Sequence, residues 1–135
     1  GTADGVWAQV IGKHDCDYRG QDLGASYSDG HQFWVQPCNL NAWIDVALEI
    51  PRTGRYELLA KYTKSWDYAR IQAFLDGKSL GPEVDTYAPT VIPGESMTLG
   101  KLDLPAGRHV LRFQAVGHNP ESKGYLMGID HVIVK

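Results

Sequence analysis

The sequence predicts an all-β domain, a two-sheet antiparallel β-sandwich of jelly-roll type. Helical periodicity is missing along the whole chain, whereas apolar and polar residues alternate in short runs, the pattern of strands with one buried face. Turn formers, among them 15 Gly and 7 Pro, punctuate those runs. The chain has 135 residues, 43% of them hydrophobic and 21% charged, which suffices for one core and leaves no room for a second domain. About eight short strands with no helix between them suit two stacked sheets better than an up-and-down barrel.

The first strand is expected at residues 6–11, where Val6, Trp7, Val10 and Ile11 precede Gly12, and the next at 32–36, where Phe33, Trp34 and Val35 precede Pro37. The clearest is 42–50: Ile44, Val46, Leu48 and Ile50 take one face, and Trp43, Asp45, Ala47 and Glu49 the other. Residues 55–62 repeat the pattern through Tyr56, Leu58, Ala60 and Tyr62. Strands follow at 70–75, 78–80 and 97–104; then 108–116 alternates through His109, Leu111, Phe113 and Ala115, and 125–134 closes the chain. Pro51-Arg52-Thr53-Gly54 and Pro105-Ala106-Gly107 each set a turn before an alternating strand, which reads as shared turn chemistry rather than a duplicated domain.

If every connection reverses the chain, the tight turns at 51–54, 76–77 and 105–107 fall at one end of the sandwich. The longer segments 38–41, 63–69, 81–96 and 117–124 then share the opposite end. Long loops on a rigid scaffold are where binding residues concentrate. The placement of the later loops depends on the very short strand at 78–80.

Thirteen Lys and Arg against sixteen Asp and Glu leave a net charge of -3, and no two basic residues are adjacent, so the electrostatic footprint of a nucleic-acid binder is missing. No apolar stretch approaches the roughly 18 residues of a membrane-spanning helix. There is no Gly-x-Ser-x-Gly elbow, no His-Glu-x-x-His and no phosphate-cradling Gly-rich loop leading into a helix. His14, His31, His109 and His131 share no metal-ligand spacing, and His109 and His131 fall in strands, where a packed, hydrogen-bonded role is expected. Cys16 and Cys38 stand too far apart for a Cys-x-x-Cys redox or zinc pair, which leaves either one structural disulfide, fitting an exported protein, or two free thiols. A start at Gly1 without Met, and a strand pattern still running at Lys135, lead us to expect a domain excised from a longer chain.

The long-loop end holds the chemistry. Thr63-Lys64-Ser65-Trp66-Asp67-Tyr68-Ala69 places Trp66 and Tyr68 beside Asp67 where no core demands them. The C–H faces of a sugar pack on aromatic rings and a carboxylate accepts its hydroxyls, so the composition suits a carbohydrate. The competing reading is that Trp66 or Tyr68 caps the end of the sandwich. Asp85 and Tyr87 form a second acid-plus-aromatic pair, set against a structural turn before Pro89. Gly117-His118-Asn119-Pro120-Glu121-Ser122-Lys123-Gly124-Tyr125 is dense in donors and acceptors, with His118, Asn119 and Lys123 as candidate ligand contacts, set against an ordinary surface connection. Asp67 and Asp85 could serve as glycosidase acid and base only if they converge across a cleft, and two carboxylates in separate loops are a common coincidence among sixteen acids. A binding protein rather than an enzyme is therefore expected.

Taken in order, Gly54-Arg55-Tyr56, Tyr62-Thr63, Asp67-Tyr68, Leu75-Asp76-Gly77, Asp85-Thr86-Tyr87, Leu99-Gly100, Pro105 to Leu111, Gly117-His118-Asn119 and Gly128-Ile129-Asp130 make the chain resemble bacterial galactose-binding-like sandwich modules. These include family 6 and family 35 carbohydrate-binding modules and the accessory sandwiches of family 172 glycoside hydrolases. The resemblance covers about two thirds of the chain, with Gln21, Tyr27-Ser28 and Phe33-Trp34 extending it upstream. It implies a non-catalytic module, secreted, periplasmic or on the cell surface, that binds an oligosaccharide or polysaccharide through Trp66, Tyr68, Tyr87 and Asn119 and keeps an attached catalytic or surface domain close to it. It requires no cofactor for binding. It marks Asp130, in the final strand, as a candidate ligand of a structural calcium, although the first strand, Val6-Trp7-Ala8-Gln9-Val10, carries no acid to complete that site, and Gly128 replaces the final-strand Asn of many family 6 members. The alternative function is a structural or protein-interaction sandwich of a secreted multidomain protein.

Overall fold

A computed structural model describes residues 7–14, 17–22, 31–36, 40–125 and 127–134. Ten strands follow in chain order: β1 (Trp7–His14), β2 (Asp17–Asp22), β3 (His31–Gln36), β4 (Trp43–Ile50), β5 (Gly54–Lys64), β6 (Arg70–Leu75), β7 (Lys78–Asp85), β8 (Ile92–Leu104), β9 (Gly107–Gly117) and β10 (Met127–Val134). They form two five-stranded sheets, β1-β4-β9-β6-β7 and β2-β3-β10-β5-β8, antiparallel throughout, with no helix among the described residues. The expected two-sheet sandwich is the observed one.

The alternating faces pack as their periodicity demands. Ile44, Val46, Leu48 and Ile50 of β4 are buried, and they meet Leu58, Ala60 and Tyr62 of β5, Leu111, Phe113 and Ala115 of β9, and Met127, Ile129 and Val134 of β10. Phe113 lies at the centre, fully buried, with the Tyr62 ring edge-on at 6.0 Å. On the outer face of the first sheet, opposed residues of β4 and β9 pair by charge. Arg112 grips Asp45 with two hydrogen bonds, of 2.7 and 3.0 Å, while its guanidinium lies 3.8 Å above the centroid of Trp43.

Three elements depart from the sequence pattern, all on sheet edges. β2 has no alternating apolar face; as an edge strand it is held by backbone pairing to β3. The short strand expected at 78–80 runs on to Asp85, and β8 begins at Ile92, so the loop expected over 81–96 shrinks to 86–91. Pro82 and Pro93 make these stretches look unlike strands, but β7 and β8 are the outermost strands of their sheets, where a missing N–H costs no ladder bond. Both extensions leave the chain reversals unchanged. Cys16 and Cys38 lie outside the described residues.

At the tight-turn end, β6 and β7 join through Asp76-Gly77 alone, both at positive φ (50° and 84°), the signature of a two-residue hairpin that right-twisted strands accept. His109, 8% exposed, fastens this hairpin to the β8–β9 turn: Nδ1 lies 2.6 Å from Asp76 Oδ2 and Nε2 lies 2.8 Å from the Pro105 carbonyl. Both neighbours only accept, so the doubly protonated imidazolium satisfies them together. Burial opposes that charge, but the Pro105 carbonyl and the Asp76 carboxylate outweigh it and raise the His109 pKa above its ordinary value. His109 thus has the packed, hydrogen-bonded role expected from its strand position.

Candidate functional site

Three segments meet at the opposite end: 65–69 between β5 and β6, 86–91 between β7 and β8, and the loop that follows β9. Main-chain bonds join the first two, with Ser65 N–H donating to the Thr86 carbonyl at 3.1 Å and Ala88 N–H to the Ser65 carbonyl at 3.1 Å. The third docks on the first through Lys123 N–H, 3.1 Å from the Trp66 carbonyl. Two buried hydroxyls complete the lacing: Thr86 Oγ1 donates to the Ala69 carbonyl at 2.6 Å and Ser122 Oγ to the Tyr68 carbonyl at 2.8 Å. A loop cluster bonded this way holds its outward side chains in place before any ligand arrives.

Asp85 is the polar hub. Oδ1 accepts the Tyr87 N–H at 3.0 Å, closing a local turn, and Oδ2 accepts Asn119 Nδ2 at 2.8 Å with Arg70 NH1 at 3.6 Å. Asn119 in turn accepts the Glu121 N–H on Oδ1 at 2.9 Å and the Ser122 N–H on its carbonyl at 2.8 Å. The Asp85–Asn119 bond therefore fixes the loop after β9 against the end of β7, leaving Asn119 one amide N–H and one lone pair on its side chain.

The expected contact residues separate by exposure. Trp66 is 50% exposed. Asp67 and Tyr87 are half-buried, and His118 and Lys123 are exposed. Tyr68 is a correction: at 6% exposure its ring belongs to the interior, the end-capping alternative, and cannot offer a face to a ligand. Burial raises the Asp67 pKa, with a hydrogen bond from its own backbone pulling the other way. The His118 ring stands edge-on to Tyr125, 5.0 Å between centroids. Tyr125 joins the cluster by that contact, and Arg70 joins it through Asp85. Tyr125 does not stand out in sequence, since it reads as the first residue of the last strand, whereas Arg70 is legible there with Lys64 and Lys123 as a cation beside the loops that could pair with a uronate. Among the described residues no group of three or more His, Cys, Asp or Glu side chains could hold a metal ion, and the Asp130 side chain lies outside them.

Away from this end, a concavity of about 310 Å³ lies on the outer face of the first sheet beside Asp45, Phe74 and Arg112. Its two charges already satisfy each other, so the loop end remains the better candidate. Among the described residues no helix is long and apolar enough to cross a membrane.

The chain matches no protein-family model, and no curated protein matches it by sequence. Its fold is shared by solved structures. It is similar to a segment of Paenibacillus xanthan lyase, with a TM-score of 0.80 at 19% identity over 97% of this chain and 12% of the lyase. It is similar to a family 35 carbohydrate-binding module from Paenibacillus barcinonensis, with a TM-score of 0.63 at 14% identity over 96% of this chain and 98% of the module. A carbohydrate-binding module of Cellvibrio mixtus lichenase 5A, solved in complex with cellotriose, superimposes with a TM-score of 0.55 at 12% identity over 93% of this chain and 90% of that one. The β-sandwich is thus the fold of family 35 and family 6 carbohydrate-binding modules, as the resemblance implied.

Proposed function

We propose that this domain is a non-catalytic glycan-binding module whose ligand lies across the loop end and stacks on Trp66, with Asp67, Tyr87, His118, Asn119 and Lys123 around it. The observation that carries the reading is the half-exposed Trp66 ring on a turn whose neighbours Ser65 and Tyr68 are buried. A large aromatic held out from a rigid backbone loses little entropy on binding and gains contact area on a sugar face. The likeness to modules of this kind, one of them solved with cellotriose, supports the class of ligand.

Its place in biology follows from the same reading. The domain acts outside the cytoplasm, in a secreted, periplasmic or cell-surface protein, and keeps an attached catalytic or surface domain near a polysaccharide; similarity to a segment covering 12% of a lyase supports such an accessory role. The ligand is a neutral glycan. Arg70 is occupied by Glu83 and Asp85, and the acids Asp67 and Asp85 of the loop end would repel the uronate carboxylate that Lys64 and Lys123 attract. Structural calcium at Asp130 is not needed for binding in this reading. The alternative, a protein-interaction sandwich, draws on the burial of Tyr68, which removes one ring from the ligand surface. A glycan array probed with the wild-type protein and Trp66→Ala tests the choice: binding that depends on Trp66 supports the module, and an empty array with a normally folded protein overturns it.

A further inference from the structure

Asp85 and Asn119 are joined across an intervening strand. In the first sheet β6 separates β7 from β9, so the 2.8 Å bond from Asn119 Nδ2 to Asp85 Oδ2 ties together segments two strand spacings apart, roughly 10 Å. The β6 residue at that register is Arg70, opposite Asp85 on one side and Gly117 on the other. Its side chain occupies the gap. Its stem passes beside Gly117, where an added Cβ would stand 3.8 Å from Cδ, and its guanidinium reaches Asp85 Oδ2 at 3.6 Å through Nη1 and Glu83 Oε1 at 2.5 Å through Nε.

A carboxylate at a surface samples several rotamers, because water competes for it in each. To reach over the end of β6 to Asn119, Asp85 must keep one. Arg70, itself anchored by Glu83, supplies the fixed charge that favours it.

The bond in turn orients the Asn119 amide. The carboxylate only accepts and the Glu121 N–H only donates, so Asn119 stands with Nδ2 toward Asp85 and Oδ1 toward Glu121. Turned over, it would set oxygen against oxygen and N–H against N–H. One N–H and one lone pair then remain in fixed places, a match for two neighbouring sugar hydroxyls, one accepting and one donating.

We propose that Arg70 is a positioning residue of the loop-end site: without touching the ligand, it holds the Asn119 amide, through Asp85, in the orientation that meets a pair of sugar hydroxyls. The ligand half of this rests on the glycan reading above; the hold on Asn119 does not. Stability is a poor explanation for the Glu83–Arg70–Asp85 chain, since its side chains are 30–42% exposed and exposed ion pairs contribute little.

NMR of the whole domain tests both halves. Without ligand, the Asn119 side-chain NH₂ should give two separated resonances with the heteronuclear NOE of a rigid group. Arg70→Met should draw them toward the values of a solvated asparagine and lower that NOE, while the melting temperature moves by no more than about 3 °C. Cellotriose, xylotriose, mannotriose and galactotriose are then titrated separately. A triose that shifts the amides around Trp66 saturably should bind Arg70→Met roughly three- to tenfold more weakly, with Arg70→Lys, which keeps a cation but not the fork, in between. In an Asn119→Ala background Arg70→Met should cost nothing further, a non-additivity that a merely structural role does not produce. Unchanged Asn119 signals in Arg70→Met overturn the proposal, as does an affinity loss that is absent or is equal with and without the Asn119 side chain. If no triose shifts an amide, that result counts against the glycan reading alone, and the Asn119 signals still uphold or overturn the hold of Arg70 on the amide.

Discussion

Trp66 and Tyr68 stand two positions apart on one turn, yet one offers half its surface to solvent and the other 6%. The turn sends Trp66 outward and Tyr68 inward, and the Tyr68 carbonyl accepts a hydrogen bond from Ser122 Oγ of the loop after β9. Both residues are visible in the sequence as aromatics in a polar stretch; which one faces water is not, because it depends on a contact more than fifty residues away. Trp66→Ala should therefore reduce glycan affinity by about 2 kcal/mol, roughly thirtyfold, whereas Lys78→Ala at the tight-turn end leaves it unchanged, as titration calorimetry would show. Ser122→Ala should destabilise the fold by about 1–3 kcal/mol in chemical denaturation, since it strips a buried carbonyl of its donor. Nothing in the sequence sets Ser122 apart from any other loop serine.

At the scale of elements, the turns do more than connect strands. The Asp76-Gly77 hairpin and the β8–β9 turn are bound through one imidazolium, and Thr53 Oγ1 adds a third turn by accepting the Ala106 N–H at 2.9 Å. Because the folded-state pKa of His109 lies above its unfolded value, near 6.5, the stabilisation is complete below that pH and is lost as pH rises through the folded pKa. Melting temperature should fall over that upper window in the wild type and lose this dependence in His109→Gln, which should also cost about 1–3 kcal/mol at acidic pH. A wild-type curve flat from pH 6 upward would show that the imidazolium contributes nothing. The edge strands carry the complementary lesson: Pro82 and Pro93 break the local strand signal, and only their outermost positions in the sheets explain why β7 and β8 run through them.

At the scale of the molecule, the charges set the expected salt response. With a net charge of -3 and Arg70 held by Glu83 and Asp85, a neutral oligosaccharide should lose less than about twofold in affinity between low and high salt. Uronate-containing oligosaccharides are the control: a ligand preferred for its charge, with a steep salt dependence, would transfer the reading to Lys64 and Lys123 as its partners. The sequence by itself determined the sandwich, the inward faces of β4, β5 and β9, and the sorting of tight turns from long loops, because strand alternation and turn chemistry are local properties written within a few residues. Tertiary structure alone decided that Asp85 holds Asn119, that Tyr68 is interior and that the prolines lie on edges. Those outcomes rest on which distant segments come to lie side by side, and the burial and hydrogen bonding that separate a ligand contact from a packed side chain exist only once they do.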